Sequence, residues 1–421
     1  MFQKVNSKGL LSIFILGSGN MIGTVISAIA LILFSRYLGP SEFGIFSAGL
    51  AAMQIVIRLT DLGINMATER TLARAYGRDL DLVDRLLRVG FWLKIICFTI
   101  CVTLGWILAP WISHTLLHIE DVTIIRIAFV LSFGTVLFEY TTVMFQASQR
   151  FAIVARITIA QALGKLLLGV MLIWQGALNS ITAMILYGLM PGVGALLGWI
   201  KSPFTSYSLP KTWKKDLKVI MGVAKWTGIA AVSATMADNI DTLMVQSFMS
   251  SYDTGVWSGA VRIATFGSLL GWTVGSVLSN RVARYDEPKH LKEYLKKAWK
   301  ISLLSFVVLC LAIPFAKLAI VLTVGSEYLG GVLPLQILLV ATGIAGAVSP
   351  YSALFYLFDR PQYYAITGIF SMIILLIGDY IFIPIYGLNG AAYVRVGVKI
   401  LTLLFTIIYV KQSLKSHLSK I

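Results

Sequence analysis

Runs of roughly 20 apolar residues recur from one end of this 421-residue chain to the other, each long enough to cross a bilayer. That feature removes most folds. Lipid offers the backbone no hydrogen-bond partners, so a spanning segment must be a helix or a strand of a closed barrel. No alternating barrel pattern is visible, which leaves helices. Charged residues make up 13% of the chain and hydrophobic ones 57%, too little charge to cover a soluble surface. The first run is uncharged from Gly9 to Ser35. It exceeds the short core of a signal peptide and is read as an uncleaved helix. Further spans centre on 43–60, 89–110, 122–146, 152–174, 178–200, 223–248, 254–280, 300–318, 332–357, 362–385 and 388–410. The expected fold is therefore all-α and integral to the membrane, with about twelve transmembrane helices.

The two halves repeat each other at an offset of 211 residues. Glu42-Phe43-Gly44-Ile45-Phe46-Ser47-Ala48 is echoed by Asp253-Thr254-Gly255-Val256-Trp257-Ser258-Gly259, and Gly176-Ala177-Leu178-Asn179 by Gly387-Leu388-Asn389-Gly390. Gln149-Arg150-Phe151 answers Asp359-Arg360-Pro361 one residue out of step. A fixed offset over separated landmarks indicates duplication. Six helices per repeat place both repeats the same way up, related by a pseudo-twofold axis along the membrane normal. The expected division is an amino-terminal six-helix lobe over 1–205, a cytoplasmic linker over 206–222 and a carboxy-terminal six-helix lobe over 223–421. Pro203, Ser206, Ser208 and Pro210 give the linker region a flexible composition. Duplicated bundles of this kind are most often transporters that rock about a site between them.

Basic residues set the orientation. Loops on the amino-terminal side carry Lys4, Lys8, Arg70, Arg74, Arg78, Arg85, Arg88 and Arg150, with further clusters at 201–218, 281–300 and 411–420; the opposite side carries Arg36 and little else. Both termini are expected in the cytoplasm. The same asymmetry accounts for most of the +16 net charge without nucleic acid as a partner. The stretch after Pro288 reads as a short amphipathic helix, with Leu291, Tyr294, Leu295 and Trp299 toward lipid and Lys292, Lys296 and Lys297 toward anionic headgroups.

No cofactor, metal site or catalytic residue is expected. Cys97, Cys101 and Cys310 lie in apolar spans without ligands at metal spacing, and no Walker lysine, Gly-x-Ser-x-Gly or His-Glu-x-x-His pattern occurs. The chemistry lies in charges at membrane depth: Arg58, Lys94, Arg126, Arg156, Lys165, Lys225, Arg262, Lys317, Arg395 and Lys399 against Asp61, Glu139, Asp238, Asp241 and Asp379. Each costs roughly 2.5–3.5 kcal/mol on insertion scales, so the cationic excess implies a hydrated cavity and an anionic cargo, phosphate fitting best. Lys165, Arg262, Arg395 and Lys399 sit too deep to reach headgroups and are the candidate substrate residues, with Arg58. Arg58 and Asp61, three apart, form either a local ion pair or a gate. Asp238 and Asp241 share a helix face and either hold a proton or cation or neutralise Arg262. Asp61, Asp238, Asp241 and Glu139 are the candidates for coupling or gating.

Several stretches carry a family resemblance. Arg-x-Leu-Gly-x-x-x-Phe-Gly from Arg36 to Gly44, Thr60-Asp61-Leu62-Gly63, and Phe145-Gln146-Ala147-Ser148-Gln149-Arg150-Phe151 resemble the polysaccharide exporter family of oligosaccharide-lipid flippases. Asn239-Ile240-Asp241-Thr242-Leu243, Gly325-Ser326-Glu327-Tyr328 and Tyr386-Gly387-Leu388-Asn389-Gly390 extend the likeness through the second half. The resemblance covers essentially the whole chain. It implies the V-shaped two-lobe fold of the multidrug, oligosaccharidyl-lipid and polysaccharide exporter superfamily. It also implies passage of an undecaprenyl-diphosphate-linked glycan to the outer leaflet of a bacterial inner membrane, for O-antigen, capsule or another surface polysaccharide. Glycan polymerase or ligase machinery and membrane lipids are the partners implied. Cavity-lining roles in such transporters fall to the first, second, seventh and eighth helices, hence Arg58, Asp61, Asp238, Asp241 and Arg262. The first helix has Asn20 but no acid, unlike many drug exporters of the superfamily. A cation-coupled drug or metabolite antiporter of the same superfamily is the alternative, and the basic excess argues against it.

Overall fold

The computed structural model describes residues 7–75, 79–201, 208–282, 288–352 and 362–418, and the described chain is helical throughout. Helix α1 (Ser7–Asp61) is 55 residues long, about 80 Å at 1.5 Å per residue and far more than the roughly 30 Å of a bilayer core. It contains two spans. The break falls at Gly39, whose φ of 68° and ψ of 171° suit glycine, and Pro40 follows with no N–H to continue the ladder. Then come α2 (Ile64–Ala75), α3 (Leu80–Trp111), α4 (Thr123–Ala147), α5 (Phe151–Trp174), α6 (Ser180–Trp199), α7 (Trp213–Phe248) and α8 (Ser251–Val282). They are followed by α9 (Pro288–Ala312), α10 (Ala316–Thr323), α11 (Val332–Ser352), α12 (Gln362–Tyr386) and α13 (Leu388–Leu418).

Among the described residues nine helices are long and apolar enough to cross a membrane, and the bent α7 makes ten. With α1 counted as two spans and the 32-residue α8 added, the helices agree with the expected twelve. Side-chain burial is that of a protein solvated by lipid: Trp174 is 90% exposed and Ile107, Leu311 and Leu322 are each about two-thirds exposed. Two boundaries differ from expectation. α7 starts at Trp213, inside the stretch read as linker, because Thr212 and Asp216 hold its first turn by a hydroxyl-to-carboxylate hydrogen bond of 2.8 Å. The helix after Pro288 is not a separate short element. It runs unbroken to Ala312 as α9, and the side chains of its lysine-rich first turns lie outside the described residues.

Local signals place the other ends. Asp79 caps α3, its carboxylate accepting from the Leu82 N–H at 2.8 Å. Asn179 and Thr182 form a reciprocal capping box on α6. The repeated glycine of these two landmarks has a backbone reason: Gly176 and Gly387 end α5 and α12 with φ of 65° and 59°, the left-handed region that glycine enters at least cost.

The chain divides into two compact units, one of 1–38 and 48–235, the other of 39–47 and 236–421. In the first, α4 packs on α6, α5 on α6, and α2 and α3 on α4. Ile64, Leu72, Leu86, Tyr140, Phe145, Ile220 and Ala224 belong to one buried apolar cluster in it. In the second, α11 packs on α8, α9 and α13, and α12 on α13. The start of the second arm of α1 also belongs to this unit, against the start of α8. A Cβ on Gly44 would stand 1.8 Å from the Ser251 carbonyl oxygen, and one on Gly255 would stand 1.9 Å from the Pro40 carbonyl oxygen. Both Gly44 with Gly255 and Pro40 with Ser251 are repeat mates at the 211-residue offset. The contact is reciprocal: each glycine faces the carbonyl of the residue four before its own repeat mate.

Candidate functional site

Each unit buries one cluster of charge. In the first, α1, α2, α3 and α4 converge on two acids and two bases. Arg58 grips Glu139 with both terminal nitrogens, Nη2 at 2.7 Å from Oε1 and Nη1 at 3.2 Å from Oε2. Asn65 donates its side-chain N–H to Glu139 Oε2 at 3.2 Å and its backbone N–H to Asp61 Oδ1 at 3.1 Å. That same oxygen pairs with Lys94 Nζ at 3.0 Å. Lys94 is 2% exposed and its ammonium stands 5.8 Å from the Tyr140 ring centre. Asp61 therefore pairs across helices rather than with Arg58 three residues away. Its position explains this: it ends α1, where its carboxylate also caps the turn into α2. The two-pronged arginine grip is the strong form of such a pair.

The second cluster joins α7, α8, α12 and α13. Arg395 Nε donates to Asp241 Oδ2, and Nη2 donates to the Asp238 carbonyl at 2.9 Å. The guanidinium carbon lies 5.7 Å from the Trp257 ring centre. Asp241 and Asp379 are both 0% exposed, and neither oxygen of Asp379 has a hydrogen-bond partner among the described residues. Two buried carboxylates thus share the neighbourhood of one guanidinium. Arg395, not Arg262, neutralises Asp241.

The remaining expected site residues are placed individually. Lys165 on α5 is 6% exposed, with Nζ 4.6 Å from the Tyr187 ring centre and no carboxylate partner among the described residues. Lys399 on α13 is half-buried and likewise unpaired among them. Arg262 is half-buried on α8. Arg126 rests 4.9 Å from the Trp106 ring centre. The cysteines are free thiols, and no group of metal-ligating side chains occurs among the described residues.

Asn65, Tyr140 and Trp257 are the participants to which the sequence reading gives no role, while Lys94 and Asp379 enter it only in the count of charges at membrane depth. Lys94 and Asp379 had a usable signal, since each is a lone charge within an apolar run. Asn65 follows one landmark and Trp257 lies within another, which marks their positions but not their partners.

The sequence profile of a family described as polysaccharide biosynthesis protein matches residues 10–278. No curated protein sequence matches significantly. Among solved structures, an inward-facing multidrug resistance MATE family transporter of the MOP superfamily aligns with a TM-score of 0.77 at 17% identity, over 96% of this chain and 98% of its own. The lipid II flippase MurJ in an inward closed conformation aligns at 0.76 and 16% identity, over 95% of this chain and 89% of its own. A MOP superfamily transporter from Pyrococcus furiosus, described as having a binding pocket of reverse polarity, aligns at 0.67 and 17% identity, over 96% of both chains. The chain is a multi-pass membrane protein with the MOP-superfamily transporter fold, and it belongs to the polysaccharide biosynthesis protein family.

Proposed function

We propose that this protein moves an undecaprenyl-diphosphate-linked oligosaccharide, of the kind used for O-antigen or capsule, from the cytoplasmic to the outer leaflet of a bacterial inner membrane by alternating access. The observation that carries the reading is a membrane-embedded ammonium, Lys165, with no carboxylate beside it among the described residues, in a chain of a polysaccharide biosynthesis family. A buried cation without a counter-ion is costly unless an anion visits it. Lys399 and Arg262 supply further positive charge at membrane depth, and a diphosphate is the anion that a lipid-linked glycan brings. The fold shared with a protein named as a lipid II flippase supports the same reading.

Arg58 and Arg395 have a different place in this proposal. Their charge is already met by Glu139 and Asp241, so they hold the scaffold in which Lys165 and Lys399 work. Asp241, with Asp379 beside it, is the best-placed acid for a coupling proton or cation, because the pair outnumbers its arginine; Asp61 and Glu139 are matched base for acid. Asp238 contributes its carbonyl. In this reading the basic loops and both termini face the cytoplasm, where the lipid-linked substrate is taken up, and glycan polymerase or ligase machinery receives it on the other side.

Arg262 is the residue to test. Charge-assisted hydrogen bonds contribute about 1.5–3 kcal/mol each, so Arg262→Ala is expected to slow glycan delivery to the cell surface by at least about tenfold, with protein abundance unchanged. Arg262→Lys is expected to be intermediate, since lysine keeps the charge and loses the fork. Labelled surface polysaccharide, measured beside membrane abundance of the protein, reads both. Full delivery by a well-expressed Arg262→Ala protein removes Arg262 from the substrate path.

A further inference from the structure

Asp216, Ile220, Ala224 and Gly228 recur every four residues along α7 and are buried. Ile220 and Ala224 enter the core that also holds Ile64, Leu86 and Tyr140. That spacing commits one face of the helix to the first unit and turns the other outward. Along the outward face the chemistry changes in order. Lys211, in the turn before the helix, and Lys214, Lys215 and Lys218 on it come first, all exposed, with Trp213 among them. Val219, Met221, Trp226 and Ile229 follow, each more than two-fifths exposed. None of the four lysines is ion-paired among the described residues.

The segment is held in place. Arg85 Nε approaches Asp216 Oδ2 at 3.6 Å, Thr212 donates to the same oxygen, and Arg88 Nη1 donates to the Ser208 carbonyl at 3.3 Å. Beyond it α7 bends by 53° between Trp213–Gly222 and Ala224–Phe248. A ligand therefore meets lysines whose backbone is already ordered, and less of its binding energy goes to fixing the helix.

We propose that this lysine and tryptophan face is a docking surface for the phosphate headgroups of anionic phospholipid. Ammonium groups are point charges suited to a phosphodiester. Indole rings favour the headgroup level, where an apolar body and a polar edge are both satisfied. Lys214 Nζ stands 5.7 Å from the Trp213 ring centre and Lys225 Nζ 5.9 Å from the Trp226 ring centre, so charge and ring are presented together. The order of residues decides the occupant. One lipid molecule covers both halves of the face, phosphate on Lys211 to Lys218 and acyl chains on Val219 to Ile229. An acidic soluble protein matches only the first half. This inference is independent of what the protein transports.

The test uses the full-length protein in a neutral detergent, titrated with short-chain phosphatidylglycerol or phosphatidylcholine while its unfolding temperature and the lipids retained in native mass spectrometry are followed. Phosphatidylglycerol is expected to raise the unfolding temperature and phosphatidylcholine is not. Changing Lys211, Lys214, Lys215 and Lys218 together to Gln is expected to weaken phosphatidylglycerol binding by at least about tenfold, each lysine contributing roughly fivefold at a headgroup surface. Changing them to Arg, or changing the exposed Lys317 on α10 to Gln, is expected to leave binding intact. Should the fourfold Gln protein not accumulate, Lys214→Gln with Lys218→Gln carries the same comparison. An unchanged phosphatidylglycerol response in the Gln variants overturns the proposal, as does an equal response to phosphatidylcholine. Lysine-dependent binding of polyglutamate without a phosphatidylglycerol response gives the surface to an acidic protein instead.

Discussion

Arg395→Ala is expected to destabilise the protein by about 3–5 kcal/mol, the range for removing one partner of a buried ion pair. The change strands Asp241, which is fully buried, and frees the Asp238 carbonyl of its donor. It also removes the guanidinium whose charge acts on Asp379, so two buried carboxylates lose the cation they share. Lower membrane abundance and a lower unfolding temperature in detergent are the readouts. Arg395→Lys is expected to recover part of the loss, since one ammonium cannot reach Asp241 and the Asp238 carbonyl as the guanidinium does. Adding Asp241→Asn to Arg395→Ala is expected to restore most of the abundance by removing the stranded charge. An Arg395→Ala protein as stable as the parent makes this pairing wrong. A normally abundant but transport-dead protein gives Arg395 to the substrate.

Gly44→Ala and Gly255→Ala are each expected to cost about 1–3 kcal/mol, the usual range for overpacking, toward its upper end because the new methyl meets backbone carbonyls. Neither the Ser251 nor the Pro40 carbonyl is the end of a flexible side chain that can swing aside. The double variant is expected to cost less than the two single costs added, because one separation of the helices relieves both clashes. Gly397→Ala is the control: a Cβ there meets nothing within 4 Å, and alanine is the better helix former by about 1 kcal/mol. Thermal unfolding of the four proteins decides the matter, and a Gly44→Ala protein with an unchanged midpoint would falsify the close approach.

The spans were legible because an uncharged run in lipid has few alternatives, and the landmark glycines because turns and backbone contacts demand them. Gly176, Gly387, Gly44 and Gly255 all mark places where the backbone needs what only glycine supplies. Pairing was not legible. Arg58 finds Glu139, 81 residues away, although Asp61 is its neighbour on the same helix. Which acid meets which base depends on how far one apolar helix slides against another, and an apolar surface encodes that sliding weakly. The charge count foresaw that Lys94 and Asp379 had to be accommodated, not that one would be matched and the other left beside a second acid. Pairing leaves the cationic excess as it was but shortens the set of candidate anion-binding cations, since Arg58, Lys94 and Arg395 all have carboxylates.

The break at Gly39 has a consequence for how such a chain arose. Residues 39–47 leave the first repeat and complete the packing of the second, while α7 begins in the first unit and ends in the second. Each repeat therefore lends the start of a helix to its sibling. A half-length ancestor built this way is incomplete as a monomer and whole only as a pair of copies trading those helix starts. Fusion of two genes would then have joined partners already dependent on each other. By the same logic, a chain cut in the linker should yield two fragments that are unstable apart and functional when made together in one cell.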